Sequence, residues 1–245
     1  MSIIRRLASI ISLGGLTAAL AAAAAPAPGG PHATGPCADF GQVRQVCGLG
    51  SPEDIAELPN SPWLLVSQQD PEPSESGLLA LDSRTLKLVR FKMADIGVAP
   101  TFDCPAAPTR FNLGGMGARR VGDAYEMVII NHGKAEAVER FHVTVDAAGP
   151  HLTWVGCVTA PQPYFLNDIA ALPGGGFAAT LLFDKAVAAA DPAAQRARLL
   201  AGQPTGFVVR WSPAEGWSKV ADSDGSFPNG IDASADGRTL YFAET

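Results

Sequence analysis

From about Gly50 onward, short apolar runs alternate with turns built from Pro, Gly, Asn and Asp. The clearest instance is Leu166-Asn167-Asp168-Ile169-Ala170-Ala171-Leu172-Pro173-Gly174-Gly175-Gly176-Phe177-Ala178-Ala179-Thr180. Two oxygen-bearing side chains lead a short apolar strand, a Pro-Gly turn follows, and a second apolar strand returns. That order predicts a β-hairpin. It recurs. Glu53-Asp54-Ile55 leads into Leu58-Pro59-Asn60 and Trp63–Ser67, and Asn229-Gly230-Ile231 leads into Ser234-Ala235-Asp236-Gly237 and Leu240–Ala243. A weaker copy, Gly114-Gly115-Met116, leads into Arg120–Asp123 and Met127–Ile130.

The lead positions Glu53, Gly114, Asn167 and Asn229 are spaced by 61, 53 and 62 residues. Four-stranded repeats of that size predict an all-β fold, a β-propeller whose equivalent strands converge on one axis. Residues at equivalent strand starts then face one another at one mouth of the channel. Glu53, Asn167 and Asn229 form one ring of oxygen donors, with Asp54 and Asp168 in the next ring. An all-oxygen set of this kind suits a hard cation, calcium above all. Each residue has a plainer explanation as a turn former or cap; the shared register favours ligation.

Blade one is expected from about Gly50 to Met93, blade two from Phe111 to Val158, and blade three from Asn167 to Ala221. Inside blade three, Lys185–Ala190 and Ala193–Leu200 have helical composition around Asp191-Pro192. Such an insertion either caps a pocket at the metal mouth or is a surface loop. Asn229 opens blade four, and three and a half blades against the usual four to eight predict a truncated fragment of a longer propeller.

Residues 1–25 carry Arg5 and Arg6, an apolar Leu7–Leu20 core and an Ala21–Ala25 cleavage zone, the pattern of a secretory signal peptide. A Pro-, Gly- and Ala-rich lead follows over 26–49, and the partial propeller occupies 50–245. The mature chain is then secreted or periplasmic, with no stable membrane anchor. Loss of the leader leaves 16 basic against 24 acidic residues, about −8, which argues against nucleic acid as partner. Cys37, Cys47, Cys104 and Cys157 allow three pairings. Cys37–Cys47 with Cys104–Cys157, the latter tying neighbouring blades, is the favoured one; buried free thiols are the alternative.

His32, His142 and His151 follow no pattern, and Asp222-Ser223-Asp224-Gly225 lacks the glutamate of a calcium loop, so a turn is expected there. No G-x-S-x-G or H-E-x-x-H motif supports serine-hydrolase or zinc-protease chemistry.

Gly50-Ser51-Pro52-Glu53-Asp54-Ile55-x-x-Leu58-Pro59-Asn60 resembles the first-blade signature of paraoxonases. Phe165-Leu166-Asn167-Asp168-Ile169 is similar to their third-blade motif, and Phe227-Pro228-Asn229-Gly230-Ile231-x-x-Ser234-x-Asp236-Gly237 to their fourth, which gluconolactonase and strictosidine-synthase-like propellers share. The resemblance implies a six-bladed propeller with one catalytic and one structural calcium ion that hydrolyses lactones and aryl esters. It makes Glu53, Asn167 and Asn229 ligands of the catalytic ion, and Asp54, Asp168 and the Met116 carbonyl ligands of the structural one. The family's further Asp-Asn ligand pair falls beyond Thr245. Gly114 replaces one family histidine, while Asn131-His132 matches the other and offers His132 as general base. A small-molecule lactone or ester is the implied partner. A non-catalytic, calcium-stabilised binding propeller is the alternative.

Overall fold

The computed structural model describes residues 5–6, 39, 41–69, 75–102, 104, 106–133 and 135–245, with backbone alone at 5–6 and 75. Most of the expected leader and lead therefore lies outside the described residues. The exceptions are a two-residue strand, β1 (Arg5–Arg6), and residues 39 and 41–49 of the lead.

Blade one is the antiparallel meander β2 (Ser51–Glu57), β3 (Trp63–Gln69), β4 (Glu75–Asp82) and β5 (Leu88–Lys92). The short β6 (Gly97–Val98) then crosses to the outer edge of blade two, formed by β7 (Leu113–Val121), β8 (Ala124–His132), β9 (Glu136–Val145) and β10 (Pro150–Thr159). Blade three comprises β11 (Tyr164–Ala171), β12 (Phe177–Asp184), β13 (Phe207–Ser212) and β14 (Gly216–Lys219). Then β15 (Pro228–Ala233) pairs with β16 (Leu240–Glu244), beside which β1 lies in parallel. The innermost strands β2, β7, β11 and β15 lie against one another in that order, so the architecture is an arc of propeller blades.

Period-two alternation explains how the blades adhere. Met127 and Ile129 of β8 enter the core shared with blade one, beside Leu65, Phe111, Phe141 and Trp154. Their neighbours Val128 and Ile130 enter the core shared with blade three, beside Leu166, Ile169, Phe177 and Leu181. Both faces of a middle blade are buried, so its strands read as nearly continuous apolar runs. Phe177 is fully buried and stacks on Trp211 at 5.2 Å; burying a phenyl ring contributes about 2–3 kcal/mol.

The helical insertion forms as α1 (Lys185–Ala190) and α2 (Pro192–Leu200). Asp184 caps α1 by accepting from the Ala186 and Val187 N–H groups, and Asp191 caps α2 by accepting from Ala194 N–H. No helix among the described residues is long and apolar enough to cross a membrane.

Cys104 and Cys157 form a disulfide, and Cys47 is also disulfide-bonded. The Cys104–Cys157 bridge corrects one expectation. Because β6 pairs with β10, the connection after it runs along blade two's own outer edge. The bridge therefore pins that connection to its own blade instead of joining two blades.

Candidate functional site

All four innermost strands slip register at their lead residues. The shifts fall between Pro52 and Asp54, Leu113 and Met116, Leu166 and Ile169, and Pro228 and Ile231. Each blade thus carries a β-bulge where the oxygen donors stand, and bulges turn side chains out of the ladder. Repetition of one local irregularity builds the site.

In the inner ring, Asp54 and Asp168 come together. Asp54 Oδ1 accepts from Ile55 N–H at 2.7 Å, and its Oδ2 accepts from Met116 N–H of blade two at 2.6 Å. Asp168 repeats the device one pair of blades later: Oδ1 accepts from Ile169 N–H at 2.8 Å, and Oδ2 from Ile231 N–H of blade four at 2.6 Å. A hydroxyl completes each stitch. Asp54 N–H donates to Ser67 Oγ, which donates to the Gly114 carbonyl at 2.8 Å. Asp168 N–H donates to Thr180 Oγ1, which donates to the Asn229 carbonyl at 2.5 Å. Met116 thus meets Asp54 through its N–H, where the resemblance implied a role for its carbonyl.

Burial and the negative charge of Asp54 push the Asp168 carboxyl up to about 7, against the pull of its two backbone donors. Two carboxyls so placed repel when both are ionised. Among the described residues no cationic side chain is bonded to either group. The pair fits a hard divalent cation, which would relieve that repulsion. Among the described residues no three His, Cys, Asp or Glu side chains gather as a metal cluster; the expected rings rely on amides to complete their donor sets.

Blade two contributes space. A β-carbon on Gly115 would overlap Asp168 Oδ1 and Cα and stand 2.7 Å from the Asn167 carbonyl oxygen. Gly115→Ala is therefore expected to destabilise by about 1–3 kcal/mol, while Gly230→Ala, where the nearest atom is Asp168 Oδ2 at 3.7 Å, should change stability far less. Urea unfolding of the two variants checks this contrast.

In the outer ring, Asn167 Nδ2 donates to Asn229 Oδ1 at 2.7 Å, and Asn229 Nδ2 donates to Thr245 Oγ1. Glu53 sits exposed at its bulge, with no hydrogen bond to either amide among the described residues. His132 stands at the end of β8, its backbone N–H donated to the Asn112 carbonyl. Its Nδ1 lies 2.9 Å from Oε1 of Glu136, whose side chain is 1% exposed. Its Nε2 faces Gly114: a β-carbon there would meet Nε2 at 2.8 Å and the Asn167 carbonyl at 3.3 Å. The absent side chain at 114 leaves that nitrogen turned toward the lead ring.

Glu136 is the residue that sequence reasoning missed. Its Oε1 also accepts from Leu166 N–H at 3.0 Å, and its Oε2 accepts from Lys185 Nζ of α1 at 2.8 Å. Burial alone would raise this carboxyl, but the hydrogen bonds and charges of His132 and Lys185 outweigh it and hold Glu136 below its usual range. An ionised carboxylate only accepts, so the Glu136 contact selects the Nδ1–H tautomer of His132. Nε2 is left as the basic nitrogen. The ring stacks on Phe165 at 4.7 Å, Phe165 on Phe183 at 5.2 Å, and Phe183 on Phe227 at 6.3 Å. Lys185 Nζ lies 4.7 Å from the Phe165 ring centre, so α1 buttresses the histidine.

A cavity of about 660 Å³ lies along the inner strands, lined by Asp54, Ile55, Met116, Arg119, Asp168 and Asp232 among others. Glu53, His132, Asn167 and Asn229 are not in its wall. The two rings are therefore distinct in their surroundings: the paired aspartates border this cavity, and the amides and His132 lie outside its wall.

No family model matches the chain, and no curated protein matches it. Among solved structures it is similar to a glucose dehydrogenase-type oxidoreductase from Thermus thermophilus, at 13% identity and a TM-score of 0.41, over 80% of this chain and 58% of that one. A glucose dehydrogenase gives 13% identity and a TM-score of 0.39, over 79% of this chain and 57% of the other. The chain spans somewhat more than half the length of these structures.

Proposed function

We propose that this protein is a paraoxonase-like, calcium-dependent hydrolase of lactones or aryl esters, secreted or periplasmic. The observation that carries the reading is the His132–Glu136 pair, with Nε2 turned toward the ring that holds Asn167 and Asn229. The Cys104–Cys157 disulfide supports an oxidising compartment.

A calcium ion held by Glu53, Asn167 and Asn229, when bound, supplies positive charge for the carbonyl oxygen and the oxyanion that develops on it. Water bonds to the carbonyl carbon while His132 Nε2 takes its proton. Glu136 keeps the imidazole in one tautomer and offsets the positive charge it acquires. As the bond from the carbonyl carbon to the leaving oxygen breaks, Nε2–H returns the proton to that oxygen. Asp54 and Asp168 would hold the structural ion, and they join blade one to two and blade three to four.

Glu53→Gln is expected to weaken calcium binding and to lower calcium-dependent turnover of a panel of lactones and phenyl esters, each at least tenfold. Calorimetry and a pH-stat assay read the two quantities. Retention of both overturns the assignment. A non-catalytic binding propeller draws support from the position of the 660 Å³ cavity, which borders the aspartate pair and not His132. Calcium that stabilises the wild-type protein without turnover of any panel member selects that reading.

A further inference from the structure

Arg140 lies on β9, away from both rings, and only 4% of it is exposed. A buried guanidinium is normally matched by a carboxylate, because stranding a charge in the interior costs several kcal/mol. Among the described residues Arg140 has no ion pair. Glu126, the acid whose charge reaches it, is bonded instead to Arg119 at 3.3 Å. Arg140 Nη1 donates to the Gly175 carbonyl at 2.8 Å, and its Nε is buried without any hydrogen-bond partner.

What surrounds the guanidinium is aromatic. Its Cζ stands 4.1 Å from the centre of the Phe102 ring and 5.6 Å from that of Trp211. Phe102 reaches it because residue 156 is a glycine with φ +139, where any β-carbon would meet Phe102 Cβ at 2.6 Å. The group borders a cavity of about 500 Å³ between blades two and three, walled also by Glu126, His142, Val155 and Pro213. That volume falls in the range of small-molecule sites, and such sites combine apolar walls with a few convergent polar groups.

We infer that the Arg140 cavity is a binding site for a small organic carboxylate: the anionic head would pair with the guanidinium and the apolar body would lie against Phe102 and the neighbouring walls. Arginine suits this task because its planar fork matches a carboxylate and stacks on rings at the same time. The site is separate from the proposed hydrolytic mouth and stands whether or not that reading survives.

The test uses the full chain with sodium benzoate, benzamide as its uncharged isostere, and inorganic phosphate, read by Trp fluorescence and calorimetry. Benzoate is expected to bind at least tenfold more tightly than either of the others and to raise the melting temperature. Arg140→Gln should abolish the preference for benzoate over benzamide, and Arg140→Lys should weaken it. Should these variants fail to fold, the wild-type comparison decides alone. Absence of benzoate binding, equal binding of benzamide, or phosphate binding as tight as benzoate overturns the inference, as does an unchanged preference in folded Arg140→Gln.

Discussion

Replacing His132 with glutamine is expected to lower calcium-dependent turnover of lactones and phenyl esters by about two to four orders of magnitude, the usual contribution of a positioned base. Calcium affinity should stay within a few-fold of wild type, because the side chain is not among the proposed ligands. Glu136→Gln is expected to lower turnover less, since the imidazole remains but is no longer held by an anion that accepts from Nδ1. The Glu136 variant should also lose part of the anchoring of α1, as Lys185 is bonded to Glu136 Oε2. Steady-state kinetics and calcium titration separate these effects. Normal turnover in His132→Gln would reduce the histidine to a structural post between β8 and β11.

With calcium removed by chelation, stability is expected to fall as pH rises from about 4 to about 7. Asp168 titrates near 3.8 in the unfolded chain but at about 7 in the fold, where burial and the Asp54 charge oppose ionisation. Between those values the folded protein holds a proton that the unfolded chain has released, so raising pH favours unfolding. Below 3.8 the contribution is fully present, and above about 7 it is gone. The displacement corresponds to at most about 4 kcal/mol. Buried Glu139, raised by desolvation despite its bonds from Asn131 and Trp154, adds a slope of the same sign. Asp168→Asn therefore isolates the aspartate's share. Urea midpoints between about pH 4 and 8, with and without the substitution, measure it. Saturating calcium should remove the Asp168 slope, because it favours the ionised pair. A chelated wild type whose stability rises across this window would contradict the placement of the two acids.

The repeat was legible because Pro-Gly turns interrupt apolar runs at similar intervals, and the bulged lead pairs keep one position in each. Asp54 and Asp168 occupy the same place in two repeats, so their meeting followed from the register alone. The α1–α2 insertion was equally plain from its alanine-rich composition on either side of Asp191-Pro192. Other features left no local trace. Ser67 and Thr180 are single hydroxyls inside apolar strands; only their separations of 13 and 12 residues from the two acids hint at a shared role. Glu136 and Lys185 are 49 residues apart and meet because blades two and three are neighbours. Arg140 stands beside Glu139 in the run Ala137–Phe141, where a polar side chain suggests a solvent face; in a middle blade that face is covered. The two-residue β6 is too short to carry a pattern, and it decides which blade the Cys104–Cys157 bridge secures.

Acid and glycine take turns around the arc: Asp54, Gly115, Asp168, Gly230. Each acid reaches the amide just past the glycine of the following blade, and at Gly115 a side chain would collide with Asp168. The true module is thus a couple of blades, with a spacing of 114 positions from one acid to the next. Any closed circle that preserves this alternation must contain an even number of sheets. An odd count would seat two acids, or two glycines, shoulder to shoulder at one seam, so duplication or grafting in this architecture should succeed by twos and fail by ones.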